Sequence, residues 1–427
     1  MVVGLLAAAL TAHAANAEAP SGNSDDKLRQ IMGRTQAQPT AAQAGNPAVL
    51  TAKTVAPERL QERADLLATG EQALARRDVD AALQAFDRAA LILHAADTEI
   101  ALVRAYMQGG EYRRALAFGA HTTGAHLDVV GGAALYAWLL HAGGQGTIAE
   151  RLMTEAQGRS SANPTLNDVQ RQLRSGAPRA SGALFALPAR LAPYGGTEGL
   201  PKAARVVGSG VLMGSGQEAL VPLSLVPSSG PRSGTLWLRN GLGQLVTARV
   251  TQRLITLGVA RLRLGRALPV AGDLRMAERE AFPGSVGYTV EFVAAPDAAP
   301  AWPVLRTGFL GGALADTRRN KTGSIIDSTN DVINGKLTGK IPQRLLGIDM
   351  PPGPRGGPVF DSAGRLQGLS LSGASGTPDR WITAATLPAD LREALAPAAP
   401  GSTDARFALD KIYEISLKTT LQVIALR

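Results

Sequence analysis

Three alanines recur at a near-constant interval in the first half of this 427-residue chain: Ala82, Ala115 and Ala149, separated by 33 and 34 residues. They fall in the segments RRDVDAALQAFDRAAL, GGEYRRALAFGAHTTG and GGQGTIAERLMTEAQG, whose apolar residues follow helical spacing. A small residue at this interval marks the place where the two helices of a hairpin approach closely, because a larger side chain would hold them apart. In the same alignment Gly110 and Gly144 occupy the column near the preceding helix contact, Tyr112 an aromatic position, and Phe86 the large apolar position of the second helix. The first copy carries Arg77 where the other two have glycine, and the second carries Gly119 where the first has Phe86.

The pattern resembles tetratricopeptide repeats over residues 55–157. That resemblance implies an α-solenoid of helical hairpins with a concave face suited to a peptide or a protein partner. A plain alanine-rich helical bundle shares the same patterning.

Before this region, residues 1–17 (MVVGLLAAALTAHAANA) give a short apolar run followed by small residues in an A-x-A arrangement. The run is too short for a permanent membrane span and predicts a cleaved signal peptide, hence a periplasmic protein with no transmembrane span once it is removed. Residues 18–54 are rich in Ala, Gln, Pro and Gly and read as a flexible linker. A second Pro-, Gly- and Ser-rich stretch, 158–202, reads as the seam to another domain. Beyond it the pattern turns to short alternating runs punctuated by glycine, as in VVGSGVLM, ALVPLSLV, TLWLRN, QLVTARV and GVARLRL, which predict an antiparallel barrel or sandwich.

Several of these runs carry a further likeness. GPRGGPVFDSAGRLQGLSL, Gly353 to Leu371, resembles the G-[DN]-S-G-G-P nucleophile frame and following strands of the trypsin-like serine proteases, including the secreted HtrA branch. Gly353, Gly356, Gly357 and Pro358 keep the frame, and Arg355 stands at the nucleophile position. GSGVLMGSGQEALVPLSLV resembles the stretch that carries the family's histidine, which aligns with Ser224, and LGVARLRL the strand that carries its aspartate, which aligns with Gly258. ITAATLPADLREAL matches the barrel-closing helix. The resemblance spans residues 203–396 and is weak between Arg266 and Met350, where the polar insertion RRNKTGSIIDSTNDVINGKLTGK has no place on that fold. It implies a multidomain α plus all-β chain: a helical solenoid followed by a trypsin-like double antiparallel β-barrel.

The chemistry of that family is expected to be missing, on grounds independent of alignment. A serine nucleophile needs a base to take its proton, normally an oriented histidine. The histidines are His13, His94, His121, His126 and His141, so none lies between Gly158 and Arg427, and the chain has no cysteine. A Ser-Lys dyad would draw on Lys202, Lys321, Lys336 or Lys340, none of which neighbours a serine in a nucleophile frame. Arginine is neither nucleophile nor base at neutral pH. Gly353, Arg355 and Gly356 are therefore candidates for binding an anion through backbone N–H groups and the guanidinium; the competing reading is that Arg355 pairs with a neighbour or reaches into solvent.

No cofactor and no metal are expected. His121 and His126 are five residues apart, not the three or four that place two ligands on one helix face, and no carboxylate-rich cluster accompanies them. The net charge of +9 permits an acidic partner, but there is no long basic run and aromatics are 4%, which argues against nucleic acid. Residues 397–427 read as a helix and a strand that resemble the opening of the same barrel. They complete their own barrel, donate a strand to a partner, or begin a truncated second copy of the domain. The function expected from these features is a non-catalytic periplasmic scaffold that binds other proteins in an envelope complex. A divergent peptidase without histidine, or a binder of acidic envelope polymer, are the alternatives.

Overall fold

The computed structural model describes residues 55–175, 199–227, 235–295, 297–313, 318–319, 325–326, 343–350, 353–373, 377–397 and 406–426. The signal-peptide and first-linker segments, Lys321, Lys336, Lys340 and most of the polar insertion lie outside them.

Among the described residues, seven helices come first: α1 (Pro57–Ala75), α2 (Val79–Ile92), α3 (Ala96–Gly109), α4 (Tyr112–Ala125), α5 (Val130–Ala142), α6 (Gly146–Arg159) and α7 (Pro164–Ser175). They pack as hairpins, α1 on α2, α3 on α4 and α5 on α6. Ala82, Ala115 and Ala149 are fully buried, one in the second helix of each hairpin. Phe86 is also fully buried, against Gly70 of α1, where a Cβ would lie 2.2 Å from the ring. The three hairpin turns share one device, a left-handed residue after the first helix: Arg77 (φ 65°), Gly110 (φ 76°) and Gly144 (φ 85°). Helix α7 falls inside the stretch whose composition reads as linker. The Asn163 side chain accepts the Thr165 N–H at 2.9 Å to start it, and Leu166, Val169 and Leu173 bury one face.

Two closed six-stranded antiparallel barrels follow. The first contains β1 (Ala204–Leu212), β2 (Glu218–Pro222), β3 (Leu236–Asn240), β4 (Leu245–Leu254) and β5 (Val259–Leu264). The second contains β6 (Ser285–Glu291), β7 (Val304–Ala313), β8 (Arg344–Gly347), β9 (Pro358–Asp361), β10 (Leu366–Leu371) and β11 (Arg380–Thr383). Helix α8 (Ala389–Leu395) comes next, then α9 (Leu409–Thr419) and β12 (Thr420–Leu426). The sheet orders are β1-β12-β3-β4-β5-β2 and β8-β11-β10-β9-β6-β7. This is the expected fold class, helical hairpins followed by a double barrel. Of the polar insertion, Arg318–Arg319 and Ile325–Ile326 pair as a two-residue ribbon. No described helix is long and apolar enough to cross a membrane.

The C-terminal segment completes its own barrel. β12 runs antiparallel to both β1 and β3, pairing Ala204 with Leu426 and Asn240 with Leu421. Its alternation explains the fit: Leu421, Val423 and Ala425 point into the first core with Val221, Leu238 and Leu262, while Ile424 packs on the other side with Val206 and Trp237. Gln422 accepts a hydrogen bond from its cross-strand partner Arg239 at 3.0 Å, and both are buried. Burial, and then the charge of Arg77, bring the Arg239 guanidinium down to about 10.

Helix α9 also joins the helical hairpins to the barrels. Tyr413 meets Tyr112 edge-on, with ring centroids 4.5 Å apart. The Tyr413 hydroxyl donates to the Pro303 carbonyl at 2.8 Å and the Tyr112 hydroxyl to the Leu139 carbonyl at 2.6 Å. The Arg113 N–H donates to Glu414 at 2.9 Å, the Gln108 amide to the Leu242 carbonyl, and Trp138 meets Trp302 edge-on.

Two outcomes test this arrangement. Arg77 holds a conformation that glycine adopts without penalty, and its charge adds to that of Arg239, so Arg77→Gly should stabilise the chain by about 1 kcal/mol, read as a rise of about 2 °C in melting temperature. No rise, or a fall, refutes this account of the turn. Deleting residues 420–427 removes Leu421 and Val423, each contributing about 1.5–3 kcal/mol of burial, and leaves β1 and β3 with open edges. The shortened chain should be aggregated or unfolded by size exclusion and circular dichroism. A monomer that melts like the intact protein would show that β12 is dispensable.

Candidate functional site

The loop from Gly353 to Gly357 leads into β9 and lies at the seam between the two barrels. Gly356 (φ 145°) sits so close to β1 that a Cβ would fall 1.9 Å from the Ser209 carbonyl oxygen and 2.7 Å from Pro222. At Gly357 a Cβ would fall 2.0 Å from the Val290 carbonyl oxygen on β6. The glycine frame is therefore required by the approach of backbone from both barrels.

Beside this loop, the single turn Leu223–Leu225 carries Ser224, which is exposed. The Leu223 N–H donates to the Gly258 carbonyl at 2.8 Å, and Gly258 is a left-handed turn residue (φ 72°). Through that bond and the approach of Gly356 to Pro222, the segments bearing Ser224, Gly258 and Arg355 meet at one seam. What they bring is a hydroxyl, a bare backbone and a guanidinium.

Consecutive N–H groups of the loop are bonded within the protein. The Arg355 N–H donates to Ser372 Oγ at 2.8 Å, the Gly356 N–H to Ser370 Oγ at 3.1 Å, and the Gly357 N–H to both Glu291 carboxylate oxygens at 3.0 Å. The Ser370 hydroxyl in turn donates to Glu291 Oε1. Glu291 is fully enclosed; burial pushes its carboxyl upward, against the hydrogen bonds from Ser370 and Ser209, the Arg355 charge and the Gly357 N–H.

Arg355 is only 8% exposed and its Nε donates to Asp379 Oδ2. Asp379 Oδ1 accepts the Gly373 N–H at 3.1 Å, so the ion pair clasps the loop to the connection between β10 and β11. The anion pocket expected at Gly353, Arg355 and Gly356 thus has its charge paired within the protein and the N–H groups of Arg355 and Gly356 occupied. Sequence reasoning missed Glu291, Ser370, Ser372 and Asp379. Ser370, on β10, and Ser372, just past its end, were detectable as hydroxyls two residues apart along extended chain, but nothing local pointed to Glu291.

The described histidines lie elsewhere. His141 is buried in α5; burial, and then the Arg306 charge, push it down to about 4, and its Nε2 makes no hydrogen bond among the described residues. His94, His121 and His126 gather in the helical region around one carboxylate, Glu99. Burial alone would raise the Glu99 carboxyl, yet contacts with His121, His94 and Thr122 hold it well below the usual carboxylate range. His121 and His126, whose five-residue spacing speaks against a ligand pair on one helix face, are nevertheless brought to the same carboxylate. Helix α4 ends at Ala125, and the non-helical backbone of His126 (φ −125°, ψ 65°) carries its ring off the helical path.

No protein-family model matches the chain, and no curated protein matches it in sequence. Solved structures with a similar fold include the Rv3671c protease from M. tuberculosis in its active form, at 15% identity and a TM-score of 0.33 over 47% of this chain and 82% of that one. The MamO protease domain from Magnetospirillum magneticum matches at 14% identity and a TM-score of 0.27, over 44% of this chain and 95% of that one. Deg5 matches at 14% identity and a TM-score of 0.28, over 42% and 85%.

Removing one partner of a buried ion pair strands the other charge. Asp379 is only half-buried and Arg355 keeps the nearby Glu291 charge, so Asp379→Leu should destabilise the chain by about 1–2 kcal/mol in denaturant unfolding, and adding Arg355→Met should restore part of that loss. Additive losses in the double variant would show that the pair is not coupled.

Proposed function

We propose that this chain is a non-catalytic, protein-binding scaffold of the bacterial envelope, exported by its N-terminal segment. Helical repeats of tetratricopeptide type and a trypsin-like barrel without a working triad jointly present docking surfaces to partner proteins. The observation that carries the proposal is the inward commitment of the 355–357 loop. An acyl-transfer site needs N–H donors aimed at the position where the oxyanion forms, and here the N–H groups of Arg355, Gly356 and Gly357 are bonded to Ser372, Ser370 and Glu291. The lack of any histidine from Gly158 onward supports the same reading, because no imidazole from this half can take a serine proton.

An acidic envelope polymer is the weaker alternative, since the guanidinium that would recognise it is paired with Asp379. The peptidase alternative is tested directly. Purified protein incubated with casein and a fluorophosphonate probe should show neither cleavage nor labelling. The Arg355→Ser variant should stay equally silent, because it restores a hydroxyl and supplies no base to take its proton. Labelling of any serine between residues 203 and 396 in the unmodified chain would replace the scaffold proposal with a peptidase.

A further inference from the structure

The grouping of His94, Glu99, His121 and His126 brings together donors from separate parts of the helical region. His94 lies in the connection from α2 to α3, Glu99 in the first turn of α3, His121 in the last turns of α4, and His126 just past its end. Glu99 is 3% exposed. The Nε2 of His94 touches Glu99 Oε1, that of His121 stands 3.3 Å from the same oxygen, and that of His126 stands 3.6 Å from Oε2. The His94 ring centroid lies 5.7 Å from that of His121 and 5.5 Å from that of His126. Donor atoms of His94, Glu99 and His126 all fall within 4.8 Å of one another.

These atoms are close without being well bonded. Both Glu99 oxygens and the Nε2 atoms of His121 and His126 are buried and lack a hydrogen bond of acceptable angle. Rings that pointed N–H groups along the carboxylate lone pairs would form such bonds; these converge on a shared space instead. A four-coordinate zinc ion, with ligands at about 2.0–2.2 Å, holds its donors roughly 3.3–3.6 Å apart by tetrahedral geometry; His121 stands at that range from one carboxylate oxygen and His126 from the other. Imidazole nitrogen with one carboxylate is a donor set that suits borderline divalent ions and not calcium or magnesium. His94, with 39% of its side chain exposed, leaves the group open to solvent on one side.

We propose that His94, Glu99 and His126 bind a divalent transition-metal ion of the zinc class, with His121 the remaining nitrogen donor of the group. The ion ties the α2–α3 connection to the far end of α4 and so braces the second hairpin. This site is independent of the barrel seam and of the scaffold proposal.

The test uses the full chain without an affinity tag, stripped with a chelator and titrated with Zn²⁺ by calorimetry, together with thermal melts. The unmodified chain should bind a single Zn²⁺ and melt at a higher temperature with it than without. Loss of a partner that merely orients a ligand weakens metal binding by about 10–100-fold, so His126→Ala and His94→Ala should each weaken Zn²⁺ binding by at least about 100-fold and abolish the thermal shift. Both side chains are partly exposed, and circular dichroism checks that the variants keep their helices. If the unmodified chain binds no Zn²⁺, or both folded variants bind it as tightly as the unmodified chain does, the proposal is overturned and the group is an imidazole–carboxylate cluster alone.

Discussion

The antiparallel ladders that β12 forms with β1 and β3 fix most of what surrounds them. A barrel with its sixth strand missing has two open edges, each a row of unpaired N–H and C=O groups. Here the missing strand arrives from the far end of the chain, so Ala204 pairs with Leu426 across more than half the sequence. Because α9 runs directly into β12, the position of the strand also sets that of the helix. Tyr413 on α9 then has one place to go, against the Tyr112 ring that α4 holds through its bond to the Leu139 carbonyl. Barrel closure and the seating of the helical hairpins are therefore one packing problem.

The barrel seam separates two kinds of requirement. Gly356 and Gly357 are demanded by backbone from both barrels, and that demand is the same whether or not a reaction takes place there. Position 355 carries no such demand, and its side chain folds back to Asp379. The buried Glu291 shows how the loop is held: one carboxyl takes the Gly357 N–H and the Ser370 hydroxyl, and Ser370 takes the Gly356 N–H. A bonded polar network of this kind fixes a loop rigidly.

Much of this was legible in the sequence because it is periodic. The 33- and 34-residue spacing of Ala82, Ala115 and Ala149 located the hairpins, and Arg77, noted there as a departure from glycine, proved to occupy the same left-handed turn as Gly110 and Gly144. Alternation located the strands, including β12, but alternation does not say which edge a strand will join. That is set by pairing over a sequence distance that local patterning does not encode. Helix α7 was read as linker because Pro164 and its neighbours suggested a break. Proline at a helix start fits the first turn, and the apolar positions 166, 169 and 173 were the better guide. Asp379 and Glu291 are invisible for a simpler reason, since each meets its partner only after the second barrel closes.

The histidine group shows where spacing rules fail. Ligands three or four residues apart share a face only while the helix continues, and α4 stops between His121 and His126. Glu99 and His94 reach the same point from a different helix and a connection, so no window along the chain contains the set. The physical cost of the arrangement is also plain only in three dimensions. A carboxylate taken out of water loses its solvation and needs a compensating charge nearby. Neutral imidazoles offer dipoles; a divalent ion among them would offer full charge and at the same time occupy the nitrogen lone pairs. On that argument the Glu99 carboxylate and the three imidazoles around it form one electrostatic unit that only the packing of α3 against α4 assembles.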